Sequence, residues 1–567
     1  MSISSGTHPN PFKQSMMPDA SNRDSQPKPR PRSGLARWRL YIVAAIVVIA
    51  VIVIVAAQFL PSLDHQVRFL IQASTTALAI LLVVPGLWIT SSYTPRTRLI
   101  GLAIFGLIVL GLYSAVRVDE TSGDVVPRLA WRWTPKRDRA LAGQLSHLDA
   151  RAAHVDLATT TPDDNPEFLG RGRNGVVTGT RLARDWTAHP PREVWRQPIG
   201  AGWGSFAIVG PYAVTQEQRG DDELVVCYEV ATGKPLWAHA NECRFEEILA
   251  GVGPRATPTI DEGRVYTLGA LGKLNCLDGA TGKVIWARDV LEENNAENLQ
   301  WGKSCSPLVV DNLVVVAAGS TNGRSLVAYE KITGEPVWHA GDDPASYSSP
   351  MLVTLAGVRQ IVIVNEESVT GHDTATGRVL WRYEWPAKNP KCTQPVVVDS
   401  DRLLVSAGYG LGSAMLKIGG GATGALAVEQ VWPEKSLRNL RSKFANMILR
   451  DGYVYALDDG ILSCLDVTTG KRQWKGGRYG HGQLLLVDNL LLVQAEDPGD
   501  LVLVEATPKR HMELGRIAAL AGKTWNNPAM SGRHLLVRNH EEAVCYELAL
   551  EGEDQAIETT SGRTKGD

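Results

Sequence analysis

The residues of this chain that could bind a ligand are polar and aromatic side chains that recur just before one predicted strand and just after the next. They are Trp203, Gln216, Glu217, Arg255, Lys303, Asn365, Glu367, Tyr409, Lys443, Asn446, Asp458, Asp459, His481, Glu496, Lys523, Trp525, Asn526 and Arg538. Aromatic rings interleaved with amides and paired charges suit a planar cofactor, a sugar or a peptide strand, with Arg and Lys to hold carboxylates. We expect these side chains to converge around one channel, although each alone is also what a solvated loop would carry.

The sequence contains no recognisable catalytic or metal-binding pattern. It has no HExxH and no Ser-His-Asp order, and His481 stands alone between two glycines. Asp458, Asp459 and Glu367 offer carboxylate oxygens of the kind that Ca²⁺ prefers, but no loop carries a calcium consensus. We therefore predict no catalytic residues and no metal site.

The seven cysteines include no CxxC and no adjacent pair, which argues against a zinc ribbon, a c-type haem site and a dense disulfide scaffold. Cys227, Cys276 and Cys464 each precede a turn glycine by six residues, and Cys545 lies in a matching Cys-Tyr-Glu-Leu sequence. A cysteine that recurs at one strand position is most simply a small buried apolar residue.

The candidate residues belong to a repeat marked by the phrase Tyr228-Glu229-x-x-Thr232-Gly233-Lys234-x-x-Trp237. Its turn glycine recurs at Gly282, Gly334, Gly377, Gly470 and, in a worn Thr423-Gly424 copy, Gly424. The steps from 233 through 470 are 49, 52, 43, 47 and 46 residues, a period typical of four-stranded propeller blades. We expect the acidic residue to accept turn amides, the glycine to supply a positive φ and the Trp to pack between blades.

Counting the copies predicts an all-β eight-bladed β-propeller with four-stranded antiparallel blades over residues 190–549. Residues 483–517 are a degenerate seventh copy, and residues 527–548 supply only three strands of an eighth. Residues 192–196 match the Trp-bearing last strand of the other copies. An N-terminal strand would therefore complete the last blade and close the ring, which removes exposed sheet edges.

The phrase and the count of eight resemble the PQQ (pyrroloquinoline quinone) type of propeller repeat over about residues 190–549. The resemblance implies the fold but not one activity, because the repeat residues are structural. The family includes quinoprotein alcohol dehydrogenases and cofactor-free BamB-like proteins, and the compact blades are nearer the BamB-like branch. Quinoproteins often carry two adjacent cysteines beside the cofactor, and this chain has none. PQQ with Ca²⁺ is thus implied only by the resemblance, and the cofactor is otherwise unknown.

Three apolar runs, at about 40–60, 69–90 and 99–116, are long enough to cross a membrane as helices. Five basic residues precede the first run, two lie between the second and third, and one lies between the first and second. This distribution predicts a cytoplasmic N-terminus. An odd number of spans then predicts, in a bacterium, a multi-pass protein of the inner membrane with a periplasmic propeller.

The remaining segments are predicted to be a disordered basic cytoplasmic tail (1–39), a linker (117–189) and a disordered tail (550–567). Within the linker, residues 136–154 could form a short amphipathic helix near the membrane, although a solvated linker helix is simpler. Residues 168–177, FLGRGRNGVV, have the glycine spacing of a phosphate loop. They lack its Lys-Ser/Thr ending and a preceding strand, so we predict no nucleotide site.

The charge balance of 58 Lys and Arg against 60 Asp and Glu argues against nucleic acid as a partner. The leading hypothesis is a membrane-anchored periplasmic scaffold that binds an envelope protein or a small molecule without chemistry. The alternative is a membrane-bound PQQ-dependent dehydrogenase that oxidises alcohols or sugars. Ligand sensing across the membrane is a third, disfavoured by the short N-terminal tail.

Overall fold

Three helices open the structure, a computed structural model that describes residues 33–60, 64–146, 148, 155–387, 389–420 and 425–552. They are α1 (Ser33–Phe59), α2 (His65–Thr90) and α3 (Pro95–Ala115). All three are long and apolar enough to span a membrane, as predicted. Both expected tails fall largely outside the described residues, as do Thr423 and Gly424 of the worn copy.

The C-terminal part of the chain forms an eight-bladed propeller in which each blade contains a four-stranded antiparallel sheet. From the centre outward, the strands of blades 1 to 4 are Ala207–Val209, Tyr212–Arg219, Asp222–Glu229 and Pro235–Asn241; Thr259–Asp261, Arg264–Leu268, Lys273–Asp278 and Val284–Asp289; Leu308–Val310, Leu313–Ser320, Arg324–Glu330 and Pro336–Ala340; and Met351–Leu355, Val358–Val364, Ser368–Asp373 and Val379–Glu384. Those of blades 5 to 8 are Val396–Val397, Arg402–Ala407, Gly412–Gly420 and Leu426–Gln430; Ile448–Arg450, Tyr453–Asp458, Ile461–Asp466 and Arg472–Arg478; Gln483–Val487, Leu490–Gln494, Gly499–Glu505 and Glu513–Leu520; and Ala529–Ser531, His534–Arg538, Glu542–Glu547 and Arg192–Pro198.

The ring is closed by the N-terminal strand, as predicted. Arg192–Pro198 pairs antiparallel with Glu542–Glu547, and Trp195 lies opposite Cys545. The other recurring cysteines face the Trp of their own blade in the same way. All four are buried, as expected for small apolar residues.

Most of the repeat Trp side chains pack on the turn of the next blade, as the repeat predicts, whereas Trp381 Nε1 donates to Gln360 of its own blade. Trp237 Nε1 donates to the carbonyl oxygen of Gly279 at 3.0 Å. Gly282 has φ 68°, and a Cβ there would lie 2.5 Å from the Trp237 ring, so both the backbone and the packing require glycine. Asp278 Oδ1 accepts from the backbone N–H of Thr281 at 2.9 Å. The same approach of ring to glycine joins Trp195 to Gly233, Trp286 to Gly334, Trp338 to Gly377 and Trp432 to Gly470.

The segment between α3 and the propeller carries structure that the sequence reasoning did not anticipate. It begins with a two-stranded hairpin, Val116–Thr121 and Pro127–Trp131, which we call the mouth hairpin. Only α4 (Arg137–Ala140) of the possible 136–154 helix is helical among its described residues. Further along, α5 (Val290–Glu293), a 3₁₀ turn (Glu434–Ser436) and the two-stranded Glu246–Glu247 and Gly251–Val252 lie in loops between strands or blades.

The glycine-rich segment 168–177 places one arginine inside the propeller and shows no phosphate-loop geometry. Arg173 is almost fully buried. Its guanidinium donates to Glu167 at 2.7 Å and to the carbonyl oxygens of Ser306 and Pro350 at 3.1 and 2.9 Å. Val176–Val177 then pairs parallel with the inner strand of blade 7. This segment therefore joins blades 3, 4 and 7 from within the ring.

Candidate functional site

The channel mouth is formed by residues that precede the inner strands, among them Lys443, His481 and Lys523. The turn of the mouth hairpin lies in this opening. Lys523 Nζ donates to the carbonyl oxygen of Thr121 at 2.9 Å, and the backbone N–H of Gly123 donates to Glu496 Oε1 at 2.5 Å. The candidate site is thus occupied by a segment of the chain itself.

Asp124, at the tip of the hairpin, is the carboxylate of one cluster. Its Oδ1 lies 3.1 Å from His481 Nε2 and 3.4 Å from Lys443 Nζ, and its Oδ2 lies 3.0 Å from His65 Nδ1 at the start of α2. Burial alone would raise the pKa of Asp124, but the hydrogen bond and charge of His481, with the charges of Lys443 and His65, hold it well below its usual range. Asp124 therefore stays ionised and ties the hairpin to blades 6 and 7.

Glu120 is the carboxylate of a second cluster. It lies 3.5 Å from Lys523 Nζ, 2.8 Å from Arg128 Nη1 and 3.2 Å from His540 Nε2. Burial and nearby cations lower the pKa of His540 to about 3, so this imidazole is neutral. Lys523 also lies over an aromatic ring, with Nζ 4.2 Å from the centroid of Trp525. Lys443 and Lys523 thus already have carboxylate partners.

Asp124, Asp459 and His481 bring three possible metal ligands within 4.8 Å of one another. Lys443 Nζ lies among them, 3.4 Å from Asp124 Oδ1 and 3.5 Å from both Asp459 Oδ1 and His481 Nε2. A fixed ammonium group takes the place that a cation would need. The geometry supports a salt-bridged cluster rather than a metal centre.

Beneath the hairpin lies a cavity of about 170 Å³ with aromatic walls. Its lining includes Thr121 and Gly123 of the hairpin on one side and Phe168 of the linker. Three of its buried polar atoms make no hydrogen bond within the described part of the chain: Trp203 Nε1, Trp301 Nε1 and Gln483 Oε1. Buried polar groups are normally paired, so this cavity is the place in the channel best suited to a small bound molecule.

Ten of the predicted site residues lie at the mouth or the cavity beneath it: Trp203, Arg255, Tyr409, Lys443, Asn446, Asp459, His481, Glu496, Lys523 and Trp525. Arg255 donates to the carbonyl oxygens of Ala250 and Gly251, and burial lowers its pKa to about 9. These ten remain candidates for ligand binding.

Most of the other predicted residues serve the fold. Gln216, Asn526 and Arg538 hydrogen-bond to loop carbonyls, Lys303 to two strand carbonyls, and Asn365 to Thr370. Glu217 is buried with Arg219 and Tyr228, and Asp458 is enclosed by Arg441, Arg472 and Lys475. Glu367 is exposed. Apart from Glu367, these side chains pair with neighbouring groups of the propeller.

The sequence reasoning missed the mouth hairpin and its partner His540. A local signal existed, because residues 116–127, VRVDETSGDVVP, read as strand, Ser-Gly-Asp turn and strand. No local sequence pattern indicates that this turn lies in the channel mouth. Its partners there, among them His481, Glu496 and Lys523, follow more than 300 residues later in the chain.

The mouth as described does not fit a carboxylated quinone cofactor. Of the cations at or below the mouth, Lys443 and Lys523 are paired with Asp124 and Glu120, and Arg255 of the cavity lining donates to backbone carbonyl oxygens. Among the described cavity-lining residues Cys392 is the one thiol, with no adjacent cysteine. We therefore derive no redox step from this site.

Comparison with known proteins finds that the propeller is similar in sequence to proteins with PQQ-like repeats. Residues 221–476 match the family model described as outer membrane protein assembly factor BamB. BamB of Moranella endobia is 24% identical over 263 residues, covering 44% of this chain and 64% of that protein. The dehydrogenase subunit of a quinone alcohol dehydrogenase from Komagataeibacter europaeus is 30% identical over 192 residues, covering 30% of this chain.

The chain matches only 25% of the length of that dehydrogenase subunit. Among solved structures, the quinohemoprotein alcohol dehydrogenase ADHIIG of Pseudomonas putida HK5 has a TM-score of 0.50 at 12% identity, covering 73% of this chain and 88% of that one. This likeness concerns the fold alone. The matched proteins include both BamB and quinoprotein alcohol dehydrogenases. The comparisons do not favour one of these two groups over the other.

Proposed function

Since the propeller is of the PQQ-like type, related both to BamB and to quinoprotein alcohol dehydrogenases, we propose that the protein is a membrane-anchored binding scaffold of the cell envelope. It takes a protein or small-molecule partner and carries out no chemistry. The observation that carries this proposal is the mouth hairpin, whose Asp124 and Glu120 pair with Lys443 and Lys523 at the channel mouth.

The contacts of the helices support a membrane-facing mouth. The α1–α2 connection lies on the propeller side, because Asp64 Oδ1 is 3.1 Å from Arg441 Nη1, and α3 runs directly into the mouth hairpin. Trp131, the last residue of the hairpin, pairs with Val116 beside the end of α3, and the exposed rings of Trp131 and Trp133 are stacked 5.0 Å apart. Exposed Trp beside a span is typical of the membrane interface. In the proposed orientation the propeller is periplasmic and the N-terminus cytoplasmic.

The orientation is tested by protease treatment of spheroplasts of a bacterial host that carry a tag at the N-terminus. We expect the propeller to be digested and the tag to be protected. A protected propeller with a digested tag would overturn the periplasmic placement.

The scaffold proposal is tested on the full chain in detergent with added PQQ and Ca²⁺. We expect calorimetry to show no saturable binding of PQQ. We also expect no reduction of a redox dye when alcohols or sugars are added as substrates. Saturable micromolar binding with dye reduction would replace the scaffold by the alternative, the PQQ-dependent dehydrogenase.

Partner binding is tested by photo-crosslinking in membranes from residues placed at Val284 and Val337, which are exposed on the outer strands of blades 2 and 3. A scaffold should give discrete adducts with envelope proteins. Crosslinkers are also placed at the rim of the mouth as further positions. The absence of adducts from all of these positions would contradict a protein-binding role.

A further inference from the structure

A second recess, outside the channel mouth, lies on the same face of the propeller across blades 3 to 5. It is an open groove of about 640 Å³. The mouth hairpin contacts blades 6 to 8, through Lys443, Glu496 and Lys523. The mouth hairpin therefore closes the mouth but does not cover the groove.

The lining of the groove is amide-rich. Five of its residues carry side-chain amides: Asn295, Asn298, Gln300, Asn322 and Asn389. Those of Asn295, Gln300 and Asn322 are exposed. An amide both donates and accepts hydrogen bonds, which is what a ligand rich in hydroxyl groups requires.

The inner end of the groove is aromatic. Trp301, Tyr347 and Tyr409 line both the groove and the central cavity. The rings of Trp301 and Tyr347 are 5.2 Å apart, and the backbone N–H of Trp301 donates to Tyr347 Oη at 3.3 Å. Trp301 Nε1 is buried without a partner. Two neighbouring aromatic rings and an indole N–H without a protein partner suit a ring that has an apolar face and a polar edge.

The charge of the lining excludes anions. It contains Glu297 and Glu366 and, among the described residues, no Lys, Arg or His. A phosphate, a sulfate or a carboxylated quinone would meet two acidic groups without a compensating cation.

The wall that carries most of these amides is rigidly built. Asp289 caps α5 by accepting from the backbone N–H of Glu292 at 3.0 Å. Asn294 is buried and donates to the carbonyl oxygen of Val290 at 2.9 Å and to Tyr329 Oη at 3.2 Å. Asn298 donates to the carbonyl oxygen of Ala270 at 3.1 Å. The connection from blade 2 to blade 3 therefore presents Asn295 and Gln300 from a fixed position, as ligand recognition needs.

We propose that this groove is a binding site for a neutral oligosaccharide. The exposed amides hydrogen-bond to the sugar hydroxyl groups, the two carboxylates accept from them, and the Trp301 and Tyr347 rings contact the apolar face of one sugar. This role goes beyond the scaffold function and does not depend on what occupies the channel mouth.

The test uses the full chain in a detergent without a sugar headgroup, because a maltoside would compete. Calorimetry measures binding of maltohexaose and chitohexaose as neutral probes, a heparin hexasaccharide as an anionic probe, and spermine as a cationic probe. We expect saturable binding of at least one neutral probe and none of the heparin fragment. Failure of both neutral probes to bind, or preference for spermine, would overturn the proposal.

Variants assign the binding to the groove. Gln300→Ala and Asn322→Ala should each weaken binding of the neutral probe by about three- to tenfold, the loss of one or two hydrogen bonds. Trp301→Phe keeps a ring and removes the N–H, and should weaken it to a similar extent. The matched control is Asn312→Ala, an exposed amide in the turn between the first two strands of blade 3. Equal affinity of Gln300→Ala, Asn322→Ala and the control would also overturn the assignment.

Discussion

At the scale of single residues, the channel mouth is governed by carboxylates that come from the linker. Asp124 meets His481, Lys443 and His65 within 3.4 Å. A carboxylate held by cations in a partly buried site is stabilised in its charged form. Cationic side chains of the mouth therefore pair with carboxylates of the hairpin. Whether those cations can bind a ligand depends on the position of the hairpin.

Replacing Asp124 by Asn should loosen the mouth hairpin. Hydrogen exchange of residues 116–131, including the Gly123 N–H that donates to Glu496, is expected to speed up by about tenfold, since one charge-assisted contact contributes about 1–2 kcal/mol. The control is Asp119→Asn, which lies on the same hairpin and pairs with Arg117. Equal exchange in the two variants would show that Asp124 is not the anchor.

Glu223 should make the stability of the propeller depend on pH. Burial raises its pKa from 4.5 to about 7, although the Ala270 N–H and the charge of Arg255 oppose this. The folded state then binds more protons than the unfolded state between pH 4.5 and 7, so the free energy of unfolding falls as pH rises through this window.

Thermal unfolding of the full chain in detergent tests this dependence. Glu223→Gln is neutral at every pH and should flatten the decline in melting temperature between pH 5 and 8. An unchanged slope in Glu223→Gln would assign the pH dependence to other groups.

At the scale of elements, the repeating unit is a turn glycine under the Trp of the preceding blade. Sequence alone identifies both, because the phrase has a fixed spacing. The structure adds that the indole N–H of Trp237, Trp432 and Trp474 caps a carbonyl oxygen of the next blade. Each of these Trp-bearing strands thus stabilises the next blade as well as its own sheet.

Gly282→Ala should therefore destabilise the chain more than a glycine replacement in open space. Gly282 and Gly357 have similar positive φ values of 68° and 76°, but only Gly282 lies against a Trp ring. We expect a loss of about 1 kcal/mol for Gly357→Ala and a further 1–3 kcal/mol for Gly282→Ala. Chemical denaturation of the two variants measures the difference. Equal losses would mean that the backbone conformation alone requires glycine.

At the scale of the whole molecule, stability depends on closing the ring with a strand that precedes the rest of the propeller in the chain. Trp195 donates to the carbonyl oxygen of Val230 at 2.7 Å and so joins blade 8 to blade 1. A closed propeller has no free sheet edges. The first and last parts of the domain must therefore come together before the fold is complete.

Trp195→Ala should open the junction between blades 8 and 1. Cys545, which is fully buried opposite Trp195, should then react with a thiol reagent under native conditions, as judged by peptide mass mapping. Cys464 in blade 6 is the internal control and should stay protected. If both cysteines become reactive together, the ring opens globally and not at the junction.

The repeat period, the eight blades, the closing strand and the three apolar helices follow from the sequence because each is a local pattern. The turn glycine, the Trp and the buried Cys recur at fixed spacing, so their roles can be deduced copy by copy. The same spacing placed Lys443, His481, Lys523 and Trp525 near one channel.

Only the tertiary structure decided what occupies that channel. Asp124 meets His481 across 357 residues, and Lys523 meets Thr121 across 402, so no periodicity relates them. Asp458 and Asp459 are neighbours in sequence, but the first is enclosed by Arg441, Arg472 and Lys475 while the second faces Lys443. Asp458 ends a strand and Asp459 has a φ of 52° in the turn that follows, so the two side chains leave the chain differently, and the partners they meet depend on segments distant in sequence.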